Sequence, residues 1–188
     1  MKDLIENEFN AHINAIKFIH NLIDDVEKSA QLCIDCLKNG GKIFLIGNGG
    51  SAADAQHIAA ELVGRFKLDR KGFPAIALTT DSSILTSIAN DYDYSNVFSR
   101  QIDAIAKKGD IVIGISTKGN SENVTKALEA ASKLKCKTIG LSGKDGGIFN
   151  DICDVNIIAP SNDTPRIQEI HILIGHTLCH LIEQAFNV

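Results

Sequence analysis

The stretch Lys42-Ile-Phe-Leu-Ile-Gly47-Asn-Gly-Gly-Ser51-Ala-Ala-Asp-Ala-Gln-His57-Ile-Ala-Ala-Glu61 changes periodicity at its centre. Its first six residues form a short apolar run without alternation, the pattern of a strand buried on both faces of a parallel sheet. From Ser51 to Arg65 the apolar residues recur at helical steps instead. Strand, glycine-rich loop and helix in that order are the opening of a βαβ unit.

The same alternation continues outward. Further strands are expected over Pro74–Thr79, Asp110–Ser116, Lys137–Ser142 and Val155–Pro160, and helices over Ser82–Ala89, Ser121–Leu134 and Arg166–Phe186. Upstream, Ile5, Phe9, Ile13, Ile16, Ile19, Ile23, Val26, Ala30, Cys33 and Leu37 recur every three or four residues, so Lys2–Leu37 reads as one or two long amphipathic helices, stopped by Asn39-Gly40-Gly41. The fold class that follows is α/β: an open, doubly wound parallel sheet covered on both faces, with long N-terminal helices. The expected organisation is a single domain over 1–188, with a helical oligomerisation segment at 1–38 and an α/β core at 42–188. The N-terminal helices have more apolar face than a small sheet needs, which points to a helical interface between subunits.

Composition narrows the function classes. The 188 residues are 44% apolar with a formal net charge of −4, enough for one substantial core and without the positive field that attracts nucleic acid or an anionic membrane surface. No apolar run approaches the eighteen or so residues of a membrane span, so a cytoplasmic protein is expected. Five cysteines, Cys33, Cys36, Cys136, Cys153 and Cys179, lie in apolar contexts that suit a reducing compartment. Cys33 and Cys36 form a C-x-x-C pair, but in mid-helix and without a second pair, where core packing is the expected role.

Two loops echo each other: Ile46-Gly-Asn-Gly-Gly-Ser51 and Ile115-Ser-Thr-Lys-Gly-Asn-Ser121. Both lie at the carboxyl ends of expected strands, where open α/β sheets bind ligands, and together they can form one crevice. Ser116, Thr117 and Ser121 supply hydroxyls, and the following helix supplies free N–H groups and the positive end of its dipole, the parts of a phosphate cradle. Ser121 also serves as a simple N-cap. The first loop partly fits a dinucleotide fingerprint, yet Asp81 follows it by about thirty residues where about twenty is expected. Neither loop carries the Gly-Lys-Ser/Thr ending of a nucleotide triphosphate loop.

Histidines carry the remaining chemistry. His57 and Glu61 stand four residues apart on one helix face, about 6 Å along the axis, a spacing that chelates a metal or makes an exposed ion pair. The last helix reads Thr164-Pro-Arg-Ile-Gln168-Glu-Ile-His171-Ile-Leu-Ile-Gly-His176-Thr-Leu-Cys-His180, with Thr164 as N-cap and Pro165 in the first helical position. His171 and His180 are expected to be satisfied core residues.

Taken together, Gly47 to Arg65, Gly114-Ile-Ser-Thr-Lys-Gly-Asn-Ser121 and Arg166 to His176 resemble the bacterial phosphoheptose isomerases of the sugar isomerase (SIS) group, nearly end to end. The resemblance implies a homotetramer with active sites at subunit boundaries, converting sedoheptulose 7-phosphate to D-glycero-D-manno-heptose 7-phosphate at the start of nucleotide-activated heptose synthesis for lipopolysaccharide, capsule or another glycan. It implies a divalent ion, usually zinc, on His57, Glu61, Gln168 and His176, with Glu61 and His176 as the catalytic pair. Substrate contacts are implied at Asn48, Gly49, Gly50, Ser51, Glu61, Asn90, Asp91, Ser116, Thr117, Lys118, Ser121 and Gln168. Lys118 departs from the small hydroxyl residue expected there, so its contact is an ion pair or a main-chain bond.

On a regular helix Gln168 and His176 stand about 12 Å apart along the axis, close to the limit for sharing one ion. A shared site therefore requires contributions from two protomers or an irregular helix. A noncatalytic sugar-phosphate-sensing or protein-binding module, similar to the replication initiator-associating proteins of the same group, needs the cradle without the acid and base. An isomerase for a shorter sugar phosphate is the third reading.

Overall fold

A computed structural model of the chain describes residues 1–186. Ile43 to Gly47 and Ile111 to Ile115 are buried throughout, as unalternating strands enclosed on both faces must be. These are β1 (Ile43–Gly47) and β3 (Ile111–Ile115); with β2 (Ala75–Ala77), β4 (Lys137–Gly143) and β5 (Val155–Ala159) they form one sheet in the order β2-β1-β3-β4-β5. Every pairing is parallel, with Ile43 opposite both Ala75 and Ile111, and Ile139 opposite Val155. That order is the flavodoxin-like one, with its switch point between β1 and β3.

Strand pleating sends alternate side chains to opposite layers. Ile43 and Leu45 join Ile111, Ile113 and Ile139 beneath α2 (Ile23–Lys38), α3 (Gly50–Val63) and α8 (Thr164–Phe186). Phe44, Ile46 and Val112 join Val124, Leu128 and Phe149 beneath α5 (Ser99–Ile105), α6 (Glu122–Lys133) and α7 (Phe149–Ile152). Two helices contribute least to this packing. In α1 (Lys2–Ile16) only Ala15 is buried, and in α4 (Ser82–Asp91) no residue is.

Several expected boundaries move. The N-terminal segment is two helices, separated by a 3-10 turn at Ile19–Leu22. Strand β2 is shorter than expected, although Leu78 N still donates to Leu45 O at 3.0 Å. The short helices α5 and α7 had no periodic signal to announce them. Helix α8 begins at Thr164 itself, and Ile167 N donates to Asp163 O at 2.9 Å, so Thr164 is the first helical residue and not the cap. Cys33 and Cys36 are both buried in α2, and burial pushes the Cys36 thiol up to about 11. No helix among the described residues is long and apolar enough to cross a membrane.

Candidate active site

Both glycine- and hydroxyl-rich loops lie at the carboxyl ends of adjacent strands, after β1 and after β3. A reciprocal amide pair ties them into one crevice: Asn48 Nδ2 donates to Asn123 Oδ1 at 2.8 Å, and Asn123 Nδ2 donates to Asn48 Oδ1 at 2.8 Å. Asn123 belongs to the first turn of α6, two residues beyond Ser121, and carries no motif signal of its own in the sequence. Gly49 takes a φ of +54°, the left-handed region that favours glycine. A Cβ at Gly50 would collide with the side-chain amide of Gln168, which reaches the start of α3 from α8.

In the second loop, Ser121 occupies the N-cap position of α6 without capping it through its side chain. Its hydroxyl pairs instead with that of Ser116 at 2.9 Å. Together with Thr117, Lys118 and Asn120 they line an open concavity of about 170 Å³. Ser121 is thus the N-cap residue through its backbone, with its hydroxyl turned to Ser116 and not to the helix, which puts the loop's hydroxyls at the N-terminus of α6. Lys118 is exposed on its rim. Asn90 and Asp91 end α4 in exposed positions, with Asn90 Nδ2 donating to Asp91 Oδ1 at 2.8 Å. Just beyond them, Tyr94 OH donates to Asn48 Oδ1 at 3.3 Å, linking this segment to the crevice.

The catalytic candidates meet lower on α3. Gly175 of α8 packs against Ile58 of α3, where a Cβ would strike the Ile58 side chain, so the two helices cross closely at that point. Close crossing brings their neighbours together: His176 Nε2 lies 3.1 Å from His57 Nε2, which lies 3.2 Å from Glu61 Oε1. The ligand atoms of His57, Glu61 and His176 all fall within 4.8 Å of one another. Two imidazole nitrogens and a carboxylate oxygen aimed at one region are the donor set of a divalent transition ion with an open position. The residues present fit such an ion.

Gln168 lies toward the start of α3, up the helix from this group. Helix α8 runs unbroken from Thr164 to Phe186, and the Gln168 amide lies at Gly50, roughly 10 Å along α3 from His57.

Around the triad lie groups the sequence had not flagged. Phe66 stacks on His176 with centroids 5.5 Å apart and planes at 21°. The Glu183 carboxylate, buried in α8, accepts from Phe66 N at 3.3 Å, Lys67 N at 2.9 Å, Leu68 N at 3.1 Å and Arg70 Nε at 3.0 Å. Burial alone would raise the Glu183 carboxyl; the three main-chain donors and Arg70 outweigh it and hold it below the usual carboxylate range. His171 is fully buried, with Nε2 bonded to Ser142 O at 2.8 Å, but its Nδ1 and that of His180 are buried without a hydrogen-bond partner among the described residues, so neither ring is the fully satisfied core histidine expected. His180 is only half-buried, edge-on to Phe66.

A carboxylate and two imidazoles linked at hydrogen-bonding range, in a chain that also carries a hydroxyl-rich loop at a helix N-terminus, are groups able to move protons on a phosphorylated substrate. A family model described as SIS domain matches residues 8–143. The phosphoheptose isomerase of Aliarcobacter butzleri is 59% identical over 188 residues, covering the whole of both chains. That of Helicobacter hepaticus is 57% identical over 183 residues, 97% of this chain and 93% of its own. The solved phosphoheptose isomerase of Neisseria gonorrhoeae matches with a TM-score of 0.93 at 42% identity, covering 97% of this chain and 98% of that one. With full-length identity above half and the same architecture, the chain belongs to the SIS domain family and, within it, to the phosphoheptose isomerases.

Proposed function

We propose that this isomerase converts sedoheptulose 7-phosphate to D-glycero-D-manno-heptose 7-phosphate, with Glu61 and His176 as its acid–base pair. The observation that carries the reading is the convergence of His57, Glu61 and His176 across the α3–α8 crossing. In the ketose the carbonyl is at C2. The Glu61 carboxylate takes a proton from C1, an enediol forms, and the same group returns the proton to C2. His176 moves the proton between the two oxygens, so one base and one acid complete the exchange without net change in redox state. The phosphate is held by Ser116, Thr117, Ser121 and the α6 N-terminus, with Lys118 at its rim; Asn48, Gly49, Gly50, Ser51, Asn90, Asp91 and Gln168 hold the sugar. His57, Glu61 and His176, with Gln168 of another copy, would hold one zinc ion per subunit, whose chemistry is to polarise the carbonyl and order the pocket.

The same reading makes the protein a homotetramer, with residues 1–38 as its oligomerisation segment on a single domain. Support comes from an uncovered apolar surface: Leu4, Phe9 and Phe18 are exposed, and an apolar groove lined by Ile19, Ile23, Val26, Leu173 and Leu181 lies between α2 and α8. Leu173 and Thr177 flank His176, so a copy seated on that groove comes close to the triad. A cytoplasmic setting fits five free cysteines, four of them buried. The test is incubation of zinc-loaded protein with sedoheptulose 7-phosphate in deuterated water, followed by NMR. Heptose phosphate carrying deuterium at C2, lost in Glu61→Gln and His176→Asn, is the expected result; saturable binding without turnover by the wild type would overturn it.

A further inference from the structure

Glu61 occupies the last turn of α3, where main-chain carbonyls have no partner further along the helix and ends fray. Here the loop that follows turns back to occupy them. Arg70 Nη2 donates to Glu61 O at 2.9 Å and Arg70 Nη1 to Leu62 O at 2.9 Å, while Phe73 N donates to Leu62 O at 2.9 Å. A guanidinium at the negative end of the helix dipole is electrostatically well placed. Arg70 is itself held by Glu183, whose side chain is 0% exposed and whose two oxygens also take the three consecutive main-chain N–H groups from Phe66 to Leu68.

Those three N–H groups fix the loop residue that stacks on His176. The connected path is therefore short: Glu183 to Arg70 to the Glu61 carbonyl on one side, and Glu183 to Phe66 to the His176 ring on the other. A buried carboxylate is an expensive way to pin a loop when an apolar contact would do. It does, however, supply directional bonds that set orientation as well as proximity.

We propose that Arg70 and Glu183 are positioning residues of the isomerase, holding Glu61 at the helix end and, through Phe66, the plane of His176. Neither touches the reacting atoms. The inference rests on Glu61 and His176 being the acid–base pair, and its test includes a reading independent of turnover.

Glu183→Gln, Arg70→Met, Arg70→Lys and Phe66→Leu are prepared in the full chain alongside wild type. In Glu183→Gln and Arg70→Met, kcat falls by roughly tenfold to a hundredfold, the scale of a small misplacement, while KM stays within about twofold. Arg70→Lys, which keeps the charge but not the two-pronged geometry, recovers part of the loss. In parallel, the His176 ring protons are followed by NMR at fixed pH in the metal-free chain. Stacked on Phe66 they resonate upfield; Phe66→Leu and Glu183→Gln both move them downfield while the far-ultraviolet circular dichroism is retained.

Unmoved His176 resonances in Glu183→Gln overturn the proposal, as does a kcat within twofold of wild type in both Glu183→Gln and Arg70→Met. Loss of kcat that parallels loss of circular dichroism assigns the clasp to stability alone and also overturns it. Should wild type fail to isomerise sedoheptulose 7-phosphate, the substrate reading falls, and the His176 resonances still decide the clasp.

Discussion

Gly50 and Gln168 show how single positions couple the first loop to α8. Any side chain at Gly50 meets the Gln168 amide. Gly50→Ala is therefore expected to cost about 1–2 kcal/mol from overpacking and to lower kcat/KM. Removing the obstacle in Gly50→Ala/Gln168→Ala is expected to restore stability to denaturant while leaving kcat/KM low, because the amide itself is gone. His171 provides a second residue-scale expectation. Burial drives its pKa down to about 4, only partly offset by its bond to Ser142 O, so the folded chain takes this proton only well below the ordinary value of 6.5. Between those values the unfolded chain binds the extra proton, and stability falls as pH falls from about 6.5 toward about 4. The loss is on the order of 2–3 kcal/mol and is measurable by denaturant unfolding; His171→Gln should flatten that part of the profile.

At the scale of elements, α4 contrasts with its neighbours. It carries Asn90 and Asp91, buries no residue, and starts at an Asp81 side chain that accepts from Ile84 N at 2.9 Å. With only Leu85, Ile88 and Ala89 partly buried against the core, capping is a large share of its stability. Asp81→Ala is expected to remove about 1 kcal/mol from α4 locally. Hydrogen exchange within residues 82–91 should accelerate and KM should rise, with the global unfolding midpoint nearly unchanged. A cooperative drop in that midpoint would mean that α4 belongs to the core unit instead. Elements also mark where sequence periodicity stopped being informative. Helices such as α6 show a clear apolar stripe because one face meets the sheet. The seven-residue α5 and four-residue α7 are too short for a repeat, and neighbouring contacts decide them.

Across the whole molecule, the uncovered apolar surface is concentrated on α1, α2 and the outer face of α8. Leu173→Glu puts a charge into the groove beside His176 and is expected to dissociate the proposed tetramer and abolish turnover together, read by sedimentation and by rate. Retained assembly with lost turnover would place the groove's importance in the site and not in association.

The apolar runs, their spacing and the two glycine-rich loops already determine the α/β class, the placing of both loops at strand ends, and His57 with Glu61 on one helix face. Those features depend on neighbours along the chain. The pairing of Asn48 with Asn123, the crossing at Gly175 that delivers His176 to His57, and the Arg70–Glu183 clasp join residues more than sixty positions apart. Only tertiary packing decides which of many histidines, asparagines and carboxylates meet, because side-chain distance across two helices depends on their crossing point and not on sequence spacing. The same geometry holds Gln168 and His176 about two turns apart on one unbroken helix, so whether they act on one group depends on packing and not on their spacing in the chain.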